Sequence, residues 1–258
     1  MLKFLRMLIG AVFCVPMLIV TYPLNWLVRL FKRCGWTKAA DGLMWTTLRF
    51  LVTWIFFFFG ARVHIVGKEN IPHQPGRYCY IGNHTSMFDI VALLYPRKFR
   101  LSFVGKIEIK KLPIISGWFK ALDAVYLDRS SPRQSIKAII DGSRMIEKGH
   151  GMAIFPEGTR SKDGQIHEFK AGSFKMATRV GGTIVPVVLK GTRTVFEDGY
   201  SLLPRPVYLA FLPHIDTEGM DEAEQHQLPD RLRNMIQEAY DKLPPIKGLR
   251  IREHVPEA

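Results

Sequence analysis

The chain has 258 residues, 47% of them hydrophobic, and a mean hydropathy near zero. This length allows one large domain with a full hydrophobic core, alone or with an appendage. Its 36 Lys and Arg against 23 Asp and Glu give a net charge of +13, which favours polyanionic partners: nucleic acid, an anionic membrane surface or acidic substrates. The three cysteines form no C-x-x-C pair, which argues against a disulfide framework or structural zinc site and fits a reducing compartment.

The first 60 residues hold the most apolar part of the chain. Met7 through Val28 contains no charged residue and is long enough to span a bilayer as a helix. A second apolar stretch, Met44 to Gly60, is interrupted by Arg49, which leaves an uncharged part too short to span comfortably. We therefore predict that residues 1–60 form a membrane-associated helical hairpin, embedded in or lying along one leaflet, with its basic residues at anionic lipid phosphates. A single true span is the alternative.

Beyond residue 60, short apolar strands alternate with helices. One helix is predicted to begin at Ser131-Pro132, with Gln134 completing a capping box, and a second carries an apolar stripe from Leu228 to Leu243. The alternation predicts one α/β domain over residues 61–258, with a mixed, mostly parallel sheet flanked by helices. The candidate strands are Arg62–Val66, Tyr78–Ile81, Leu101–Val104, Ala124–Leu127, Met152–Phe155, Thr183–Leu189 and Val207–Phe211.

A histidine and an aspartate follow the second candidate strand, at His84 and Asp89. On a straight helix, residues five apart point about 140° away from each other. The two side chains can meet only if His84 lies in the turn before the helix and Asp89 in its first turns. A carboxylate on one imidazole nitrogen fixes the tautomer and leaves the other nitrogen free to take a proton, so the pair suits a general base for a hydroxyl. Taken alone, such a spacing is more often structural.

Cations lie near the ends of three other candidate strands. Arg160 stands in the segment Phe155–Ser161, where Pro and Gly indicate a tight turn, and a guanidinium is suited to bidentate phosphate recognition. Lys106 and Arg129 follow two further strands. Each cation alone is more often a solvated surface charge. Because ligands of α/β sheets bind where strands give way to helices, their joint placement near the His84 turn predicts an anion site.

Four ordered blocks of the sequence carry a resemblance to a known family. They read NHTSMFD (Asn83–Asp89), AVYLDR (Ala124–Arg129), FPEGTRS (Phe155–Ser161) and TIVPVVLKG (Thr183–Gly191). In these blocks the chain resembles the glycerolipid acyltransferases, especially the 1-acylglycerol-3-phosphate (lysophosphatidic acid) acyltransferases. The first and third blocks are the specific ones, and the resemblance covers about residues 62 to 215. The apolar N-terminal pair also resembles that of bacterial members.

The resemblance implies an enzyme that transfers a fatty acyl chain to the sn-2 hydroxyl of lysophosphatidic acid, giving phosphatidic acid. The donor would be acyl-CoA or acyl carrier protein, without a cofactor or an acyl-enzyme intermediate. It implies that residues 61–258 form the catalytic domain, located at the cytoplasmic face of a bacterial inner membrane. His84 would be the general base and Asp89 would orient it.

The resemblance also implies a set of substrate-binding residues. The acceptor's phosphate would be held near the strand ends, Pro186 would shape the acyl-donor side, and Asn83 would be near the oxyanion. Lys170 and Gly172 are weaker phosphate or loop candidates. The phosphate-side residues are Lys106, Arg129, Glu157, Gly158, Thr159 and Arg160.

Three other interpretations of the residues remain open at this point. A relative of the same family would acylate glycerol 3-phosphate or another lysolipid. A non-catalytic membrane-binding or nucleic-acid-binding module would explain the charge, although the basic residues are spread along the chain rather than gathered into one aromatic-interleaved element, which argues against nucleic acid. A metallohydrolase is disfavoured, because His167-Glu168 is followed by Ala171 where a zincin helix needs its second histidine.

Overall fold

The computed structural model describes residues 2–96, 101–198 and 204–246. Within these ranges the chain forms one eight-stranded mixed sheet covered by helices on both faces. The strands are β1 (Ala61–Val66), β2 (Tyr78–Gly82), β3 (Leu101–Lys106), β4 (Val125–Leu127), β5 (Gly151–Ile154), β6 (Thr183–Lys190), β7 (Arg205–Phe211) and β8 (Ile215–Asp216). The α-helices are α1 (Leu2–Arg33), α2 (Thr37–Phe59), α3 (Phe88–Leu93), α4 (Pro113–Ala121), α5 (Pro132–Glu147), α6 (Lys175–Thr178), α7 (Thr192–Val195) and α8 (Glu222–Lys242).

The predicted α/β class and mixed sheet are confirmed, and each of the seven predicted strands lies within two residues of its expected ends. At the start of α5, the Ser131 side chain accepts a hydrogen bond from the backbone N–H of Gln134 at 3.4 Å. Helix α8 begins earlier than the apolar stripe indicated. Asp221 and Glu224 form a capping box there, so polar residues rather than the stripe fix the start of this helix.

The strand order determines which strand ends lie at the same edge of the sheet. The order is β1-β7-β6-β2-β5-β3-β4, with β8 pairing β6. Strands β6, β2, β5, β3 and β4 run parallel to one another, whereas β7 is antiparallel to β6, and β1 is parallel to β7. The carboxyl ends of the five parallel strands therefore meet at one edge of the sheet, and β1 and β7 begin at that edge.

Side-chain alternation along the strands gives the sheet two apolar faces. In β2, Tyr80 packs into one core, whereas Cys79 and Ile81 pack into the other. The first core includes α2, α3 and α4, and the second includes α6 and α8. Helices thus cover both faces of the sheet.

The first two helices form the predicted two-helix segment. Both are long and apolar enough to cross a membrane. Helix α2 ends at Gly60, whose φ of 61° closes the helix in the left-handed conformation that glycine adopts readily. One row of α2 shares the first core with the sheet: Met44, Leu48, Leu51, Val52 and Phe56. The division at residue 60 remains a prediction about domains, since α2 contributes to the core of the sheet that follows it.

Helix α1 is attached to the rest of the fold near both of its ends. A Cβ on Gly10 would lie 2.6 Å from the Phe59 ring, so the two helices touch there. Near the other end, Lys32 Nζ donates to Asp123 Oδ2 at 2.6 Å and to the carbonyl of Ala121 at 2.8 Å. The outer side of α1 is exposed and apolar; its most exposed large side chains are Val12, Ile19, Val20, Trp26 and Leu30.

A buried lysine joins the end of β6 to the last helix. Lys190 is 7% exposed, and its Nζ donates to the carbonyls of Tyr240 at 2.8 Å and Leu243 at 2.9 Å. The same ammonium lies 4.6 Å from the centroid of the Tyr240 ring. The Tyr240 carbonyl also accepts the Leu243 N–H at 3.3 Å, and a cation at the end of α8 complements the helix dipole there.

Lys190→Met keeps the apolar stem but removes the donor, so the carbonyls of Tyr240 and Leu243 lose their bonds to the ammonium. We expect the free energy of unfolding to fall by about 1–3 kcal/mol, measured by urea denaturation. Lys175→Met, at an exposed position on α6, is the matched control. An equal loss in the two variants would contradict the capping role of Lys190.

Candidate active site

Asn83 joins the carboxyl ends of the two central strands. Its side-chain nitrogen donates to the carbonyl of Leu189 at 2.8 Å, and its side-chain oxygen accepts the Leu189 N–H at 2.9 Å. The residue is fully buried. The side-chain nitrogen and oxygen both bond the backbone of β6, so Asn83 continues the pairing of β2 with β6 through a side chain. A role for Asn83 near the oxyanion stays a prediction.

His84 and Asp89 meet across the turn between β2 and α3. His84 Nδ1 lies 2.9 Å from Asp89 Oδ2. The geometry is the one the spacing requires, because His84 precedes the helix and Asp89 is in its first turn. The His84 ring also stacks on Phe155, with ring centroids 4.1 Å apart and planes 11° apart. Asp89 and Phe155 thus hold the ring on two sides. The side chain is still 13% exposed, so the ring remains accessible.

Asp89 is fully buried and accepts hydrogen bonds on both oxygens. Besides His84, its Oδ2 accepts the backbone N–H groups of Thr85 at 2.7 Å and Ser86 at 2.8 Å. Its Oδ1 accepts the hydroxyl of Thr192 at 2.5 Å. A carboxylate oxygen facing Nδ1 favours the tautomer with the proton on that nitrogen, which leaves Nε2 with a free lone pair.

Glu157 lies under the His84 turn and is turned inward. It is 5% exposed; Oε1 accepts the His84 N–H at 2.7 Å and Oε2 accepts the His167 N–H at 3.4 Å. Burial raises the pKa of this carboxyl to about 8, against the effect of these two bonds. The Glu157 side chain is directed into the protein and positions the backbone of His84; its predicted place among the phosphate-side residues stays a prediction.

The segment from Phe155 to Ser161 forms a tight turn beside His84. Gly158 donates to the Phe155 carbonyl at 3.1 Å and has a φ of +74°, a conformation that favours glycine. The turn is tied to the histidine, because the Ser161 N–H donates to the His84 carbonyl at 2.8 Å. Lys170 lies over the turn, with its Nζ 3.2 Å from where a Gly158 Cβ would be. The predicted candidates Thr159 and Arg160 are exposed, and a Cβ on Gly172 would touch nothing within 4 Å.

Arg160 is linked to the His84 turn through Glu197. Arg160 Nη1 lies 3.5 Å from Glu197 Oε1, and its side chain is 47% exposed. Glu197 also accepts the Ser86 hydroxyl at 2.7 Å on Oε2 and the Met87 N–H at 3.1 Å on Oε1. The arrangement leaves Arg160 at the surface of the site, beside the residues that lead into α3.

Lys106 and Arg129 lie further along the same edge, at the ends of β3 and β4. Lys106 Nζ pairs with Glu108 Oε1 at 2.8 Å. Partial burial lowers the pKa of the Arg129 guanidinium, and the charge of Glu108 opposes that shift. The two cations thus share a neighbouring carboxylate and form a second group, separate from the pair of Arg160 and Glu197.

Pro186 is held away from this edge, in the interior of β6. It pairs with Ile81 and is buried. Its carbonyl accepts the Leu212 N–H at 3.0 Å, so its missing N–H faces the same side of the strand. On that side β6 changes partner, from β8 at residues 183–184 to β7 at residues 187–190. Residue 186 lies between the two pairings, so no strand partner requires an N–H from it. This place explains a proline in a central strand; the predicted role of Pro186 on the acyl-donor side stays a prediction.

The sequence analysis missed several site residues that follow β6, because no recognised motif includes them. Thr192 bonds Asp89 and Glu197 bonds the His84 turn, as described above. Arg193 is 7% exposed; it forms a bidentate pair with Asp198 at 2.7 and 3.1 Å and donates to the Ser161 carbonyl at 2.6 Å. In the other strands, the residues directly after the carboxyl end were the candidates. The same rule applied to β6 would have found this segment.

Among residues 2–96, 101–198 and 204–246, no three His, Cys, Asp or Glu side chains lie together as metal ligands. His167, considered above for a zinc site, has its Nε2 2.9 Å from Asp163 Oδ1. That contact belongs to the loop after the Phe155–Ser161 turn. Ser161 Oγ donates to the same Asp163 oxygen at 2.7 Å.

The chain is similar to several known acyltransferases. It is 31% identical over 191 residues to a chloroplastic 1-acyl-sn-glycerol-3-phosphate acyltransferase of Arabidopsis thaliana, a match covering 74% of this chain and 51% of the plant protein. It is 28% identical over 183 residues to a 1-acyl-sn-glycerol-3-phosphate acyltransferase of Borreliella burgdorferi, covering 69% and 71%. The chain thus spans about half the length of the plant relative.

A solved structure shares the fold. The crystal structure of the 1-acyl-sn-glycerophosphate (LPA) acyltransferase PlsC from Thermotoga maritima superposes with a TM-score of 0.73, 21% identity, and coverage of 95% of this chain and 100% of that one. The sequence model of the acyltransferase family matches residues 62–190, which are 129 of the 258 residues. The chain therefore belongs to the acyltransferase family.

Proposed function

We propose that the protein transfers a fatty acyl group from an acyl thioester to the sn-2 hydroxyl of lysophosphatidic acid, giving phosphatidic acid for phospholipid synthesis. The observation that carries the proposal is the contact of 2.9 Å between His84 Nδ1 and Asp89, next to an exposed guanidinium on the Arg160 turn. A base for a hydroxyl and a cation for a phosphate therefore stand at one edge of the sheet. The relatives named above have this acceptor in their names.

In the proposed reaction His84 acts as a general base. Its Nε2 takes the proton of the acceptor hydroxyl while that oxygen attacks the thioester carbonyl carbon. Collapse of the tetrahedral intermediate breaks the C–S bond, and His84 returns the proton to the leaving thiolate. The products are the ester and a free thiol. Asp89 keeps the imidazole in the required tautomer and stabilises the imidazolium as it forms.

Cations at the same edge would bind the acceptor's phosphate. Arg160 offers a planar fork on the turn tied to His84, and Thr159 offers a neighbouring hydroxyl. Lys106 and Arg129 add positive charge further along the edge. The donor is acyl-CoA or acyl carrier protein, both acidic, and the net charge of +13 favours either one.

We also propose that the hairpin holds the protein on the cytoplasmic face of a bacterial inner membrane. The exposed apolar side of α1 would lie along the leaflet with basic residues at anionic headgroups. The attachments of α1 to Phe59 and Asp123, and the place of α2 in the core, favour a hairpin lying along the membrane over an isolated span. The acceptor then need not leave the bilayer completely.

His84→Ala removes the proposed base and leaves the hairpin intact. We expect kcat for acyl transfer from a long-chain acyl-CoA to lysophosphatidic acid to fall by about a hundredfold or more, with unchanged sedimentation on anionic vesicles. Equal turnover by the two proteins would remove His84 from the mechanism. Parallel assays with acyl carrier protein, glycerol 3-phosphate and other lysolipids identify the donor and acceptor, and inactivity with all of them would leave a non-catalytic binding module.

Arg160→Ala tests the phosphate site. A lost charge-assisted contact to phosphate corresponds to a rise of about tenfold or more in KM for the acceptor, with a smaller change in KM for the donor. Arg179→Ala is the control, because Arg179 is exposed in the turn before β6 at the opposite edge. An unchanged acceptor KM in the Arg160 variant would remove this residue from phosphate binding.

A further inference from the structure

Glu197 lies outside the matched family region and outside the proposed chemistry, yet it contacts both halves of the site. Its Oε2 accepts the Ser86 hydroxyl at 2.7 Å, and its Oε1 accepts the Met87 N–H at 3.1 Å. The same Oε1 lies 3.5 Å from Arg160 Nη1. One carboxylate therefore joins the turn that carries His84 and Asp89 to the turn that carries the phosphate-binding guanidinium.

The backbone of Glu197 is held on both sides. Its neighbour Phe196 packs against Phe88 of α3 and Phe59 of α2, with ring centroids 5.8 and 6.2 Å apart. Its other neighbour, Asp198, forms the buried bidentate pair with Arg193. Glu197 is thus presented from a fixed segment and is 22% exposed. A carboxylate on a rigid support can fix partners that stand on turns.

The contact with the His84 turn limits movement of the proton-transfer pair. Ser86 donates its backbone N–H to Asp89, and its hydroxyl accepts the Phe88 N–H at 3.0 Å while donating to Glu197. A shift of Ser86 would therefore move the carboxylate that orients His84. Small misplacements of reacting groups lower the rate strongly.

The contact of Glu197 with Arg160, in contrast, weakens binding of the acceptor. The negative charge of Glu197 partly neutralises the guanidinium and repels an incoming phosphate. Resting on the proposed function, we infer that Glu197 is a positioning residue: it aligns the His84 turn for catalysis at the expense of acceptor affinity. The two effects separate in a pair of substitutions, because glutamine keeps an acceptor oxygen without the charge and alanine keeps neither.

The experiment compares Glu197→Gln and Glu197→Ala with the wild type. We expect KM for lysophosphatidic acid to fall about two- to fivefold in both variants, because the repelling charge is gone. We expect kcat to fall about tenfold or more in the alanine variant and to be largely restored in the glutamine variant. Glu218→Gln and Glu218→Ala are the controls, since Glu218 is exposed at the opposite edge.

Hydrogen exchange of the peptide spanning residues 84–90 is measured on the same detergent-solubilised proteins and does not depend on turnover. Faster exchange in Glu197→Ala but not in Glu197→Gln is expected, because the Met87 N–H loses its acceptor only in the former. Unchanged exchange in the alanine variant would overturn the inference, as would equal loss of kcat in the two variants. A wild type with no transfer activity would instead contradict the proposed function, while the exchange result still decides the role of Glu197.

Discussion

The buried carboxylate of Asp89 is the group on which the rest of the site depends. It accepts four hydrogen bonds, from His84 Nδ1, two backbone N–H groups and the Thr192 hydroxyl. A carboxylate this deeply buried is tolerated only when such donors replace water. Since the donors come from the segments after β2 and β6, the ends of these strands have to be neighbours. The pairing of Asn83 with Leu189 keeps them so.

The same requirement links the apolar hairpin to the chemistry. Helix α2 ends at the edge where β1 begins, and its last aromatic residues reach the first turn of α3. The rings of Phe56 and Phe59 lie 6.0 and 5.0 Å from that of Phe88, the residue before Asp89. Gly10 gives α1 room to touch Phe59. An element suited to a membrane surface is therefore packed directly behind Asp89, the residue proposed to orient the base.

The features that depend on local pattern and strand direction could be predicted from the sequence. Alternating apolar runs are enough to place the strands, and the rule that parallel strands end at one edge brings His84, Lys106, Arg129 and Arg160 to that edge. The spacing of His84 and Asp89 excludes a straight helix, and the turn required is the turn observed.

The remaining features depend on tertiary contacts that no local pattern encodes. In the sequence, Glu157 looks like an ordinary polar residue of a turn. Only its burial beneath His84 lets its carboxylate accept the backbone N–H of His84. Asn83 and Pro186 sit in family blocks, yet their roles follow from which strand lies next to them. The place of α2 in the core cannot be read from its hydropathy, because a buried helix and a membrane helix are equally apolar.

The most direct test of the central claim is kcat of Asp89→Asn for acyl transfer to lysophosphatidic acid. Asparagine keeps the size of the side chain but removes the second acceptor oxygen and the charge, so the tautomer of His84 is no longer fixed. We expect kcat to fall by about a hundredfold or more with a small change in acceptor KM. A variant that folds and keeps the kcat of the wild type would contradict the claim that Asp89 makes His84 the base.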